Sequence, residues 1–270
     1  MMIEKPLDYW LAGYQCTAEG NDRVYREFTA LTDSVPFLKA HRDYVEANSL
    51  GMGFRAFHYM WLLVLDDLRR RFGAVSALEI GVFKGQVVSL WGMIGKEMGI
   101  PIRIAALSPF AGNQPRLRIV RSLMRRFSRR YRERRQTGSL YYDDDYLDAT
   151  RSIFERFAGP FDRVRIVKGL STDPAIHRTV ASETFQLVYI DGDHSYEAVA
   201  SDIAGYAPLV APGGYLVMDD ASFYLPTVDN AATPFFKGYE SVARACEAIP
   251  DLGFVNVLNV GHNRVYRRNG

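Results

Sequence analysis

Between Leu187 and Ala221 two apolar runs are followed by four carboxylates and an imidazole in a pattern that could do chemistry. Asp191 and Asp193 follow one apolar run, LVYI. Asp219 and Asp220 follow another, YLVM, and His194 stands three residues past Asp191. If the two runs are neighbouring strands, Asp191, Asp219 and Asp220 converge at one edge of a sheet. Two like charges ~4 Å apart repel by about 4 kcal/mol at an effective dielectric near 20, so such a set needs protons, cationic side chains or a metal. An all-oxygen set with no nearby cysteine suits a hard cation such as Mg2+. The competing reading is that Asp193 or Ser195 caps the following helix and the other acids are solvated.

A second constellation lies upstream, Glu79-Ile-Gly81-Val-Phe-Lys-Gly85. This is E-x-G-x-x-x-G, not the G-x-G-x-x-G of dinucleotide enzymes. Its glycines let the backbone turn sharply and approach a ligand, while the acid offers a carboxylate to a cationic or hydroxylated group. S-adenosylmethionine has an ammonium, a sulfonium and no phosphate, so it fits such a loop better than a dinucleotide does. The bland alternative is a glycine-rich strand-to-helix turn. The next apolar run ends in Ser108, where many nucleotide folds place an acid for the ribose hydroxyls. A serine there can still hydrogen-bond a hydroxyl, more weakly than a charged acceptor would.

The elements that must position these residues are legible as alternation. SALEIGV, IRIAALS, RVRIVKG, FQLVYIDG and GYLVMDD are short apolar runs, and helical stretches such as GQVVSLWGMIGKEMG and YEAVASDIAGYAPLV stand between them. Strands alternating with helices predict a parallel, doubly wound sheet, whose ligands bind beyond the carboxyl ends of the strands. FVNVLNV and RVYRR flank Gly261, His262 and Asn263, a hairpin signal. Residues 1–75 read as helical. The expected fold is α/β: a Rossmann-like, seven-stranded, mostly parallel sheet with a C-terminal antiparallel hairpin. It would carry a helical N-terminal cap (1–75) and a helical lid insertion (112–150) within a ligand-binding domain of residues 76–270.

Chain length, 270 residues, allows burial of roughly 70–75% of the unfolded surface, so the core needs no covalent staples. The formal charge of only +2 argues against bulk attraction to nucleic acid. Cys16 and Cys246 show no metal-like spacing and read as reduced thiols. The start, MMIEKPLDYW, lacks a signal-peptide pattern, and the greasiest stretch, FHYMWLLVL, is about half the ~20 residues a membrane span needs. A cytoplasmic protein without a membrane span is expected. The other four histidines, His41, His58, His177 and His262, read as structural.

One segment resists this scheme. From Arg116 to Arg135 ten of twenty residues are arginine, with Leu117, Val120, Met124, Phe127 and Tyr131 at helical spacing. A lid helix with its charges solvated or paired with Asp143, Asp144 and Asp145 is one reading. A lid that helps bind an acidic substrate is a second. Nucleic acid or an anionic membrane is a third, though no stacking-aromatic motif of an RNA-binding module accompanies the run.

The stretch from Glu79 to Gly85, with IDGDHSYE and VMDD, resembles the class I S-adenosylmethionine-dependent methyltransferases. Within them it is similar to the divalent-metal-dependent O-methyltransferases, nearest to the macrocin O-methyltransferase-like enzymes of natural-product sugar tailoring and more distantly to catechol O-methyltransferase. The resemblance covers roughly residues 76–270. It implies S-adenosylmethionine held by Glu79, Gly81, Gly85, Ser108, Ser171, Thr172 and Asp191. It implies Mg2+ or another divalent cation on Asp191, Asp219 and Asp220, and His194 as catalytic base, with Asp193 as its rival. SLGMGF (49–54) would reach the methionine end of the cofactor. The activity implied is methyl transfer to a hydroxyl of a small sugar-like or phenolic molecule, by an enzyme that could be a homo-oligomer. A metal-independent N- or RNA methyltransferase and a catalytically inactive binding protein stay open as alternatives.

Overall fold

The protein's structure, a computed structural model, describes residues 3–112, 114–115, 117–136, 145–225 and 237–270. Four helices lead: α1 (Leu7–Ala12), α2 (Ala18–Ser34), α3 (Pro36–Ala47) and α4 (Ala56–Phe72). The alternating part follows with β1 (Val75–Ile80), α5 (Gln86–Met98) and β2 (Ile102–Ser108). Next come α6 (Arg118–Phe127), α7 (Arg129–Gln136) and α8 (Tyr146–Phe157), then β3 (Val164–Lys168), α9 (Pro174–Arg178) and β4 (Phe185–Ile190). The chain ends with α10 (Tyr196–Tyr206), β5 (Val210–Met218), α11 (Glu240–Ala245), β6 (Phe254–Val260) and β7 (Asn263–Arg268).

The strands form one seven-stranded sheet in the order β3-β2-β1-β4-β5-β7-β6. β1 to β5 run parallel, and β7 returns antiparallel between β5 and β6. This is the expected Rossmann-like fold with its C-terminal hairpin. Strand order reverses direction between β1 and β4, and that switch point is where open α/β sheets bind ligands.

Each sheet face has its own core. Ala77, Tyr189 and Val217 pack with α4 and α5 on one face, where the N-terminal helices contribute Leu7, Val24, Phe28 and Leu38. Leu78, Val188 and Leu216 pack with α10 and α11 on the other. The period of two along each strand produces this split. α4 is buried on every side from Ala56 to Leu68, which explains why its sequence is apolar all round. Its last turn, Arg69 to Arg71, sits where the helix dipole favours cations, and Asp66 and Asp67 pair with those arginines. No helix among the described residues is long and apolar enough to cross a membrane.

The arginine segment is not one continuous helix. Ser128 divides α6 from α7 and accepts a hydrogen bond from Tyr131 N–H at its hydroxyl (3.2 Å). Tyr131 is buried, but Leu117, Ile119, Leu123 and Phe127 are exposed. Asp145 caps α8 through Asp148 N–H (2.9 Å). Arg116, Asp143 and Asp144, named above, lie outside the described residues.

Candidate active site

Strand register explains why the acids meet. Ile80 of β1 pairs with Ile190 of β4, and Ile190 pairs with Met218 of β5. One step further along the chain, Gly81, Asp191 and Asp219 therefore stand abreast. Backbone hydrogen bonds carry the ladder past the strands, from Asp191 N–H to Ile80 (2.8 Å) and from Asp219 N–H to Ile190 (3.0 Å). Leu107 pairs with Ile80 on the other side, which brings Ser108 into the same row.

Asp220 follows at φ +53°, a left-handed conformation uncommon outside glycine. Its carbonyl accepts from Tyr239 N–H (3.0 Å), and the next residue, Ala221, donates to the His262 carbonyl (2.8 Å). These contacts hold the turn, so that two successive carboxylates reach one place. His194 Nε2 lies 3.2 Å from Asp220 Oδ2 and 3.8 Å from Asp191 Oδ1. The His194 ring stacks on Tyr239 (centroids 4.6 Å apart). His262 Nε2 lies 3.2 Å from Asp219 Oδ1 and 3.8 Å from Asp220 Oδ1.

Two cavities share this row. The smaller, about 360 Å3, is lined by Glu79, Asp191, His194, Asp219, Asp220 and His262 and walled by aromatic rings such as Phe54, Trp61 and Tyr239. The larger, about 710 Å3, is lined by Ser108, Ser171, Thr172, Asp193 and Ser195. Gly81, Phe83 and Asp191 border both. Gly81 sits at φ +95°, and a Cβ there would stand 1.8 Å from the Asp191 carbonyl oxygen. The partition is thus two backbones in direct contact, and glycine is what permits it.

Residues 78–221, more than half of the chain, match the family described as a methyltransferase domain. The chain belongs to this methyltransferase family. No curated protein matches it. Among solved structures it is similar to the O-methyltransferase NovP, at 16% identity over 79% of each chain, with a TM-score of 0.55. It is also similar to SAH-bound PaMTH1 of Podospora anserina, at 14% identity over 93% of this chain and 97% of that one, with a TM-score of 0.56. A third similar structure is the O-methyltransferase of Bacillus cereus in complex with SAH, at 16% identity over 87% and 91% of the chains, with a TM-score of 0.51. At these identities the likeness is one of fold.

In this methyltransferase the sequence-singled residues divide between the cavities. Glu79, His194, Asp219 and Asp220 line the smaller; Ser108, Ser171 and Thr172 line the larger; Gly81 and Asp191 line both. Gly85 lines neither; it begins α5 at φ +84°, pressed against Thr150 of α8. Asp193 faces the larger cavity, and its Oδ1 accepts from Ser195 N–H (2.8 Å). Ser108 donates its hydroxyl proton to the Val82 carbonyl (2.9 Å), which leaves its oxygen able to accept. Leu50 to Phe54 wall the smaller cavity, whereas Arg130 and Tyr146 of the insertion border the larger.

His262, read above as structural, stands among the acids. No local pattern marks it; the only sequence signal was its place in the hairpin turn. His41 and His58 do form a buried pair (2.9 Å) tied to Ser89 (2.8 Å), and His177 contacts the Gly205 carbonyl (3.0 Å).

Electrostatics follow from this crowding. Burial, then the Asp219 and Asp220 charges, push the Asp191 carboxyl well above the usual range. Burial and Asp219 push Asp220 up to about 6, against the pull of His262 and His194. Burial opposes ionisation of Asp219 too, but His262 holds that carboxyl below the usual range. Glu79 is pushed up to about 8, chiefly by burial and secondarily by Asp219, and its Oε2 is buried without a hydrogen-bond partner.

Proposed function

We propose that this methyltransferase transfers the methyl group of S-adenosylmethionine to a hydroxyl of a small molecule, with a divalent cation held by Asp191, Asp219 and Asp220. The observation that carries this reading is the pair of cavities that meet at Gly81 and Asp191, one rich in hydroxyls and the other in acids and imidazoles. Two of the similar structures are SAH-bound, SAH being the demethylated form of the donor. All three similar structures carry the name methyltransferase, two of them O-methyltransferase.

The residues fit both groups. The orphaned, buried Glu79 Oε2 suits an ammonium, which would draw the carboxyl to its charged form. Asp219, Asp220 and His262 each offer one ligand atom, all within 4.8 Å of one another, and Asp191 completes the acidic row. A bound divalent cation would lower the pKa of an acceptor hydroxyl and orient it.

The chain's own residues supply the rest. Ser108 accepts from a ribose hydroxyl, while Ser171 and Thr172 meet the adenine. Gly81 and Gly85 shape the turn against which the donor lies. His194 takes the hydroxyl proton as the acceptor oxygen attacks the methyl carbon and the sulfur keeps the bonding pair. The aromatic walls orient a ring-shaped acceptor and exclude water, so much of the acceleration is positioning. Residues 1–75 act as a cap through Leu50 to Phe54, and residues 76–270 form the catalytic domain. The cavity volume suits a sugar or phenolic group.

The test is donor turnover against pooled hydroxylated metabolites, with and without EDTA, beside calorimetry with the demethylated donor. Micromolar binding, turnover, and loss of turnover in EDTA with recovery on adding cation are expected. Full turnover in EDTA would remove the metal, and absence of donor binding would remove the whole reading.

A further inference from the structure

His262 reaches the acidic row from a different part of the chain, and its position is fixed from three sides. Its ring packs against Phe54 and Phe57, with centroids 5.1 and 4.7 Å away. Its carbonyl is tied to Ala221, directly after Asp220. The preceding Gly261 is clamped by Asn21 of α2, which donates Nδ2–H to the Gly261 carbonyl (2.9 Å) and accepts Gly261 N–H at Oδ1 (2.8 Å). Asn21 is 1% exposed and His262 4% exposed, so this clamp lies within the core.

The Nε2 atom that results is 3.2 Å from Asp219 Oδ1. Ligands on adjacent corners of an octahedron stand about 3 Å apart for metal–ligand bonds of ~2.1 Å. We propose that His262 is itself a ligand of the cation site, and that the site therefore selects a first-row transition ion over Mg2+. Carboxylate oxygens alone suit Mg2+, but imidazole nitrogen binds Mn2+, Fe2+, Co2+ and Ni2+ with rising preference and adds little for Mg2+. This rests on the cation site proposed at Asp191, Asp219 and Asp220.

The rival role for His262 is that of a counter-cation, an imidazolium that neutralises crowded acids. The two roles predict opposite signs. Removing a ligand weakens ion binding, while removing a competing positive charge strengthens it.

The experiment titrates the full chain with Mn2+, Co2+ and Mg2+ alone, by calorimetry and by electron paramagnetic resonance of Mn2+. The proteins compared are the wild type, His262→Ala, His262→Asn, His194→Ala and Asn21→Ala, each first checked for an unchanged circular dichroism spectrum. The wild type should bind Co2+ at least about tenfold more tightly than Mg2+. His262→Ala and His262→Asn should lose about tenfold or more in Co2+ affinity and under about threefold in Mg2+ affinity. Pulsed resonance should show nitrogen-14 coupling to Mn2+ that persists in His194→Ala and vanishes in His262→Ala. Asn21→Ala should weaken Co2+ binding by a smaller factor, since it frees the turn and leaves the ring.

Unchanged or tighter ion binding in both His262 variants would overturn the proposal, as would nitrogen coupling lost in His194→Ala instead. Ion binding to the wild type that Asp219→Asn abolishes, without nitrogen coupling, would sink the His262 assignment and spare the cation site. No ion binding to the wild type at all would sink both.

Discussion

The two cavities share one wall and little else. The larger is rich in hydroxyls and borders the arginine-bearing insertion, while the smaller gathers four carboxylates, two imidazoles and a ring of aromatic side chains. They meet where Gly81 touches the backbone of Asp191, and Phe83 borders both. The larger cavity mixes its hydroxyls with charges of both signs, Asp193 and Glu197 against Arg130. In the smaller cavity burial first, and the neighbouring acids second, raise Asp191, Asp220 and Glu79, and positive charge opposes the rise. Adjoining spaces thus differ in electrostatic character, mixed charge among hydroxyls on one side and acids with imidazoles on the other, and the Gly81–Asp191 contact lies between them.

The largest effect should come from the shared wall. In Gly81→Val the new side chain would collide with the Asp191 backbone and force an unfavourable φ. A loss upwards of about 3 kcal/mol by urea unfolding is expected, with donor binding lost as well. A variant of wild-type stability that still binds donor would show that the cavities do not depend on this contact.

Next comes a test of neighbours that face opposite ways. His194→Ala should lower kcat by roughly 10²–10⁴-fold, the range of a positioned acid–base group, with donor affinity unchanged. Asp193→Asn should keep kcat within about threefold and act mainly on donor binding, since Asp193 faces the larger cavity. The reverse pattern would move the base to Asp193.

Glu79 sharpens the electrostatic contrast. Its carboxyl titrates near 8 when folded, above the ordinary value of about 4.3, so the folded state holds more protons between those limits. Stability should fall as pH rises through that window, and Glu79→Gln should flatten the fall. Binding the cationic donor at pH 7 should release up to about one proton, read from calorimetry in buffers of different ionisation heat. Buffer-independent heats would show that Glu79 does not meet the ammonium.

Asp202 of α10 offers the smallest effect. Burial pushes it up to about 7, against the Ser171 hydroxyl, with Asp193 adding to the rise. Asp202→Asn should raise Tm by a few degrees at pH 8, by less at pH 5, and leave it unchanged only below about pH 4, the ordinary carboxyl value. A drop at pH 8 would mean that the charged carboxylate braces Ser171.

Much of this molecule was legible in its residues. Short apolar runs ending in Glu79, Gly81, Ser108, Asp191 and Asp219 mark strand ends, because parallel strands buried on both faces must be continuously apolar and then stop. The arginine run was legible as helix, but its break at Ser128 was not, since a single serine between helical stretches carries no strong stop signal. The place of His262 beside the acids was not legible, because nothing near it in sequence resembles a site.

What the sequence by itself determined was local: which segments are strands, where glycine must turn, and which side chains leave the strand ends. Register then converted those ends into a row. Only the tertiary structure decided that Asp193 and His194, adjacent in the chain, face different cavities. Only it placed His262 beside Asp219, through the antiparallel return of β7 along β5 and the grip of Asn21 on Gly261. Contacts between residues far apart in the chain leave no periodicity behind, because the hydrogen bonds and packing that create them exist only once the sheet has closed.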